Sequence, residues 1–252
     1  MYYDRNMQYG KFASVYDSLM TDFDRDAWAE YLLSFIPNGA SVAECACGTG
    51  EMSLRLAKAG RRVTASDISE QMLYEAAKKQ REAGLANADL RFVRMDMRRL
   101  ALHRKVDFVV ACCDGVNYLT SPADVRAFFR AAHDSLVPGG MLLFDVSSRY
   151  KLSEVLGCNC FVDNGEETAY LWQNVYDESS KLIRMELSFF KKQGALYERF
   201  DETHIQRAHS EREIGSWLDN AGFEYEAYRA FTREPVSPND ERIQFAARKR
   251  NE

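Results

Sequence analysis

The stretch VAECACGTG, residues 42–50, joins a short apolar run to a tight glycine turn. Ahead of it Ala40, Val42 and Ala43 are small or β-branched. Behind it Met52, Leu54, Leu56, Ala57 and Ala59 recur at helical spacing until Gly60 ends the run. The pattern predicts strand, loop, helix. Gly48 and Gly50 can take positive φ and leave no Cβ between the chain and a ligand, and the first N–H groups of the following helix point into the same space. The turn therefore predicts a nucleotide-type binding site. The next apolar segment, RVTASDIS from Arg62, ends in Asp67. It lies about 20 residues beyond Glu44, the separation at which an acid on the second strand meets a ribose diol.

Ser53 and Ala46 stand where a dinucleotide fingerprint places two of its glycines, which argues against NAD. The stretch instead resembles motif I of the class I S-adenosylmethionine-dependent methyltransferases, in the variant acid-x-Ala-Cys-Gly-x-Gly, with Asp67 as the motif II acid. The resemblance continues through MDMRRL, where Asp96 stands near the place of the adenine amino group. It extends through VDFVVACCDGVNYL and LVPGGMLLFDV, similar to the fourth strand and the entry to the fifth. It implies S-adenosyl-L-methionine as cofactor and an α/β, Rossmann-like, doubly wound seven-stranded sheet. By the same resemblance Ala46, Gly48 and Gly50 approach the methionine and ribose, Asp67 binds the ribose hydroxyls, and Ile68 lies against the adenine. Asp96 and Met97 line the adenine edge, and Glu44, Met72 and Cys112 belong to the same pocket. An aromatic first segment of the type Tyr-x-x-Phe-Ala-x-x-Tyr-Asp folds over the methionine end in similar enzymes, which points to Tyr9, Phe12 and Tyr16.

Composition sets the outer bounds. A chain of 252 residues, 46% hydrophobic and 28% charged, can bury the core of one large α/β domain with an insertion. Its net charge of −5 gives no global drive toward nucleic acid or an anionic membrane. Arg91, Arg94, Arg98, Arg99, Arg104 and Lys105 crowd one region and read as a solvated face. No apolar run approaches the ~18 residues of a membrane span, and the first residues lack a secretory core, so a cytoplasmic location is expected. The cysteines fall in three close pairs, Cys45/Cys47, Cys112/Cys113 and Cys158/Cys160, and in such a compartment they are thiols. Their spacing is not that of a zinc site, and no metal is expected.

Along the chain, Asp24 is the expected N-cap of a helix whose apolar stripe is Trp28, Tyr31, Leu32, Phe35 and Ile36, ended by Pro37. Ser69 caps a helix that ends at Gly84, with Met72, Leu73, Ala76 and Ala77 inward. Strand 3 spans about Leu90 to Arg94. Strand 4, Asp107 to Cys112, is nearly all apolar, as a strand covered on both faces is. Cys112, Cys113, Asp114, Asn117 and Tyr118 follow at its carboxyl end, where ligands sit in such sheets. A helix over 122–136, a Pro138–Gly140 turn and strand 5 at Met141–Val146 come next. From Asn159 to Arg207 the period changes to alternating strands separated by turns. This predicts a small antiparallel β insertion between strands 5 and 6. A helix at Glu211–Asn220, strand 6 at Phe223–Phe231 and strand 7 at Arg242–Arg248 complete the sheet. The expected divisions are 1–148 for cap helices and the first part of the methyltransferase domain, 149–208 for the insertion, and 209–252 for completion of the domain.

Methyl transfer from a sulfonium is an in-line displacement with an activated leaving group. The protein must bind, orient and exclude water, and a base is needed only for a protonated acceptor. His204 and Arg207 in the inserted sheet, with Tyr197 and Tyr118, are the acceptor-side candidates, His204 as base. The expected reaction is methylation of an O or N of a small-molecule acceptor by a monomer or homodimer, with the insertion as a substrate lid. RNA or protein methylation, or non-catalytic binding of the cofactor, are the alternatives.

Overall fold

The computed structural model describes Ala13, Tyr16, Asp17 and residues 24–251. Tyr9 and Phe12 lie outside the described residues. Helix α1 (Arg25–Leu33) is capped by Asp24, whose carboxylate accepts from the Ala27 N–H. Then β1 (Ser41–Cys45), α2 (Glu51–Lys58), β2 (Arg62–Asp67), α3 (Glu70–Glu82), β3 (Leu90–Arg94), β4 (Val106–Ala111), α4 (Pro122–Ser135) and β5 (Leu136–Ser147) alternate. As expected, the Ser69 hydroxyl caps α3, accepting from the Met72 N–H.

The central sheet has seven strands in the order β10-β11-β5-β4-β1-β2-β3, where β10 is Phe223–Arg229 and β11 is Arg242–Lys249. The first five strands in sequence pair in parallel, and β11 runs antiparallel to both β5 and β10. Alternation along the strands divides the core in two. Ala43, Cys45, Val109, Ala111, Leu142 and Phe144 face α4 and helix α5 (Glu211–Asn220), packing on Phe128, Phe129 and Leu218. Val42, Phe108, Val110 and Leu143 face the other way, onto Trp28, Leu32, Leu54 and Leu56 of α1 and α2. This two-faced burial is why β4 and β5 read as continuous apolar runs.

Strand β5 begins earlier than the sequence suggests. It leaves α4 directly at Leu136, and the Pro138–Gly140 segment is an irregularity within the strand, where the pairing with β4 shifts register between Val106 and Phe108. The expected turn is present within the strand: Gly139 has φ +71°, and regular pairing with β4 resumes at Met141.

The insertion forms its own antiparallel sheet, ordered β6-β7-β8-β9, of β6 (Cys160–Asn164), β7 (Thr168–Asp177), β8 (Leu182–Gln193) and β9 (Leu196–Arg207). Its inner face buries Ile183, Met185 and Phe189 at every second or fourth position of β8. The near end packs on Leu152, Leu156 and Ala208, and the far end packs Phe189 with Met72 of α3 and Ala13. Among the described residues, no helix is long and apolar enough to cross a membrane.

One side chain fastens this sheet to the core. Asn117 is fully buried. Its Nδ2 donates to the carbonyls of Ser147 and Arg207 at 3.0 and 2.9 Å, and its Oδ1 accepts from the Ser147 N–H at 2.9 Å. It therefore joins the loop after β4 to the ends of β5 and β9. The sequence places it with the ligand-facing group, but its amide is spent on backbone. Replacement by Leu leaves three buried backbone groups without partners and is expected to cost about 2–5 kcal/mol in urea unfolding. A change within 0.5 kcal/mol would show that the fastening lies elsewhere.

Candidate functional site

A cavity opens at the carboxyl ends of β1 to β4. Its wall includes Tyr16, Glu44, Ala46, Gly48, Asp67, Ile68, Met72, Asp96, Met97, Cys112 and Tyr118. The turn after β1 forms its floor. Gly48 has φ +53°, and among the described residues nothing lies within 4 Å of where its Cβ would stand. Here the missing side chain leaves backbone open to the cavity. The Gly48 N–H donates to Asp67 Oδ2 at 2.9 Å, and the Ser69 N–H donates to Oδ1 at 2.9 Å. Burial pushes the Asp67 carboxyl up, and these backbone bonds pull against it. Each oxygen keeps acceptor capacity for a further donor.

Gly50 serves differently from the expectation. It precedes α2 with φ +77°, is not in the cavity wall, and a Cβ there would stand 2.8 Å from Phe92 Cζ and 3.0 Å from Ala76 Cβ. It lets the turn pack on β3 and α3. Ala46 is in the wall in the left-handed region, φ +52°, where an alanine is strained by about 1 kcal/mol or more. Its Cβ lies 3.0 Å from where a side chain on Gly115 would begin, so the two positions are sterically coupled.

Glu44 is 2% exposed and accepts from the Ser53 hydroxyl at 2.5 Å. Burial pushes its carboxyl up to about 7, with Ser53 opposing and Asp67 adding. Asp96 caps the 3-10 turn Met97–Arg99 and is held by both its backbone neighbour and the Arg98 guanidinium, which also reaches Asp124 at 2.8 Å. Burial raises the Asp96 carboxyl, but the Arg98 bonds outweigh it and leave it lowered. Ile68, at 46% exposed, and buried Met97 give this side an apolar wall.

Around the opposite side stand Tyr16, Cys113 and Tyr118. Burial, then the neighbouring Cys113 and Asp114, push the Tyr16 phenol well up. Cys113 and Asp114 are both left-handed, with φ +60° and +53°. Asp114 is held from three strands: its N–H donates to Asp145 Oδ2 at 2.9 Å, Gln206 of β9 donates to it at 2.6 Å, and Arg242 of β11 at 3.2 Å. Arg242 also pairs with buried Asp145 and lies over the Trp28 ring at 4.7 Å. Such strain persists where surrounding bonds over-determine the backbone.

The acceptor-side candidates separate. Tyr118 is in the wall and its hydroxyl is 3.4 Å from His204 Nδ1, with the rings edge to face. His204 is 4% exposed, outside the cavity wall, and burial lowers its pKa to about 4. A neutral imidazole of that basicity is poorly suited to the expected base role. Arg207 turns away, donating to the Ser180 carbonyl at 3.0 Å and pairing with Glu213 at 3.4 Å. Tyr197 is 53% exposed at the distal hairpin and donates to the Glu166 carbonyl at 3.1 Å. A strand pattern gives the face of a residue but not its distance from a site. The sequence reading missed Thr49, Asp17 and Arg25. All three are in the wall, and Thr49 donates to Asp17 at 2.7 Å while Arg25 donates to the Asp17 carbonyl at 3.0 Å.

The donor set fits a nucleoside carrying a charged amino-acid tail: a buried acid with spare acceptor capacity for a diol, an apolar slot beside it, and open backbone at Gly48.

Glu44 makes stability depend on pH in a defined sense. Its folded pKa lies above the unfolded one, so its favourable contribution is full below about 4.5 and is lost as pH rises through about 7. Glu44→Gln, which can still accept from Ser53, is expected to match the wild type near pH 4.5 and exceed it at pH 8. The gain is at most about 3 kcal/mol in urea unfolding of the ligand-free protein. A pH-independent difference would show that the carboxylate is not the source.

Residues 42–140 match the family model described as "Methyltransferase domain". The chain is 38% identical to "Putative methyltransferase YqeM" of Bacillus subtilis (strain 168) over 96% of its own length and 98% of that protein's. A crystal structure of an S-adenosylmethionine-dependent methyltransferase from Clostridium acetobutylicum ATCC 824 superposes with a TM-score of 0.87 at 32% identity, covering 96% of this chain and 99% of that one. The sugar N-methyltransferase KedS8 from Streptoalloteichus sp ATCC 53650 shares the fold, with a TM-score of 0.76 at 19% identity over 99% and 96% of the two chains. With a glycine turn locked to a second-strand acid, and with this likeness over nearly its whole length, the chain belongs to the S-adenosylmethionine-dependent methyltransferases.

Proposed function

We propose that the chain methylates a nitrogen or oxygen of a small molecule, with the inserted sheet as the lid over the acceptor end. One observation carries this reading: Phe189 of the insertion packs on Met72, a cavity-wall residue, and on Ala13, with Tyr16 and Phe200 beside them. The insertion thereby meets the cavity rim at Met72 and Tyr16 without itself lining the cavity, which supports an acceptor that enters whole over a site on a folded macromolecule. KedS8, described as a sugar N-methyltransferase, has the same fold.

The cofactor would supply an electrophilic methyl group on a positive sulfur. Asp67 would hold its ribose hydroxyls, and Ile68, Met97 and Asp96 would border its adenine. Gly48 and Ala46 would give it backbone, and Glu44, Met72 and Cys112 would close the pocket around it. On the acceptor side Tyr118 and Tyr16 present hydroxyls that can bond to and orient a polar acceptor. His204 acts through Tyr118 as a positioning residue, and Arg207 and Tyr197 take no part. Over the acceptor end the lid would exclude water from the displacement.

Calorimetric titration with S-adenosylhomocysteine tests the cofactor half without knowing the acceptor. Loss of the buried carboxylate in Asp67→Ala is expected to weaken binding by roughly 1–3 kcal/mol, or about 5- to 150-fold. No heat with either protein would overturn the site assignment. Given binding, a panel of small amines and hydroxy compounds tests the acceptor half. Tyr118→Phe is expected to lower kcat about tenfold or more while S-adenosylhomocysteine affinity stays within about twofold. Methylation of RNA or protein with no turnover of the panel would sink the small-molecule reading.

A further inference from the structure

The opposite end of the central sheet carries a second cleft. It lies where the parallel strands begin: Arg62 and Thr64 are on β2, Arg91 is on β3, and the loop into β4 supplies Arg104 and Lys105. Strands of this length, at about 3.3 Å per residue, place it roughly 15–20 Å from the cofactor cavity. The two clefts share strands but, among the described residues, no wall residue.

The electrostatics of this cleft are one-sided. No carboxylate is in its wall among the described residues. Arg62, Arg91, Arg104 and Lys105 are exposed, and among the described residues none of the four is in an ion pair. Neighbouring arginines behave otherwise: Arg94 pairs with Glu70, and Arg98 with Asp96 and Asp124. Asp107, beside the cleft, accepts from the Ser41 N–H at 2.8 Å and its hydroxyl at 2.6 Å, and these bonds, then the Arg62 charge, hold its carboxyl low, so it offsets part of the charge of Arg62 and none of the other three is among the causes. The Arg91 Nε donates to the Thr64 hydroxyl at 3.2 Å, which anchors that guanidinium in the cleft.

Four like charges around one concavity, in a chain whose net charge is −5, repel one another, and a multivalent anion relieves that repulsion. Guanidinium forks beside hydroxyl and amide donors suit phosphoryl oxygens. Among the described residues the wall holds no Phe, Tyr or Trp, so it offers no platform there on which successive bases of a nucleic-acid strand stack. A concavity with converging cations suits a compact oligophosphate better than an extended backbone. We infer that this cleft binds the di- or triphosphate group of a small molecule, separately from the methyl-transfer site.

The test is a calorimetric titration of the intact chain with inorganic tripolyphosphate at fixed ionic strength, with sulfate as the control anion. Wild type is compared with the Arg104→Glu/Lys105→Glu double variant, and S-adenosylhomocysteine binding reports on the integrity of both. Tripolyphosphate is expected to bind at least about tenfold tighter than sulfate, and the double variant to lose about tenfold or more of that affinity with S-adenosylhomocysteine affinity unchanged. ATP distinguishes the sources: tighter binding than tripolyphosphate identifies a nucleotide, and equal binding identifies the phosphate group alone. Tripolyphosphate binding no tighter than sulfate would overturn the inference and leave a solvated basic face. So would single-stranded RNA that binds tighter than ATP and is lost in the double variant, since the cleft would then be a nucleic-acid contact.

Discussion

The two backbone hydrogen bonds accepted by Asp67, from Gly48 and Ser69, are the constraint on which the rest of the site depends. They tie the turn after β1 to the turn after β2, the two loops that form the floor and one wall of the cavity. A carboxylate taken out of water is costly unless it is bonded. Backbone donors meet that cost while leaving acceptor capacity toward the cavity. The glycine turn is thus held by an acid that keeps acceptor capacity of the kind a diol needs.

A second constraint operates across the loop after β4. Asp114 sits in a left-handed conformation and is bonded from β5, β9 and β11, while Asn117 three residues on fastens the ends of β5 and β9. The inserted sheet is therefore built into the loop that carries Tyr118 and is not an appendage. Arg242, the Trp28 ring and Asp145 form the buried end of this network, linking the last strand of the chain to its first described helix. Asp145 Oδ2 takes both the Asp114 N–H and Arg242, while its Oδ1 has no hydrogen-bond partner among the described residues.

The protein also carries charge of opposite character at the two ends of one sheet. At the carboxyl ends, acids are buried and bonded, with Glu44 and Asp145 both raised by burial, to about 7 and about 6. At the amino ends, cations are exposed and converge on a cleft. Parallel strands make this separation possible, because all their beginnings share one edge and all their ends the other.

The seven-stranded sheet was implied by the family resemblance, whereas the sequence by itself determined the order of the elements, the antiparallel insertion, the glycine turn and the acid Asp67 at the end of β2. Each of these is written in a local period, a cap or a spacing, as with Ser69 capping α3 or the alternation of β8. Only the tertiary structure decided that Gly50 serves packing against Phe92 and that β5 starts at Leu136. It also decided that His204 is a neutral buried partner of Tyr118 while Arg207 and Tyr197 point elsewhere. Those outcomes turn on contacts between residues far apart in the chain, such as Asn117 with Arg207 or Arg242 with Asp114. Periodicity reports which face a side chain takes, whereas its role depends on burial and on which distant groups complete its hydrogen bonds.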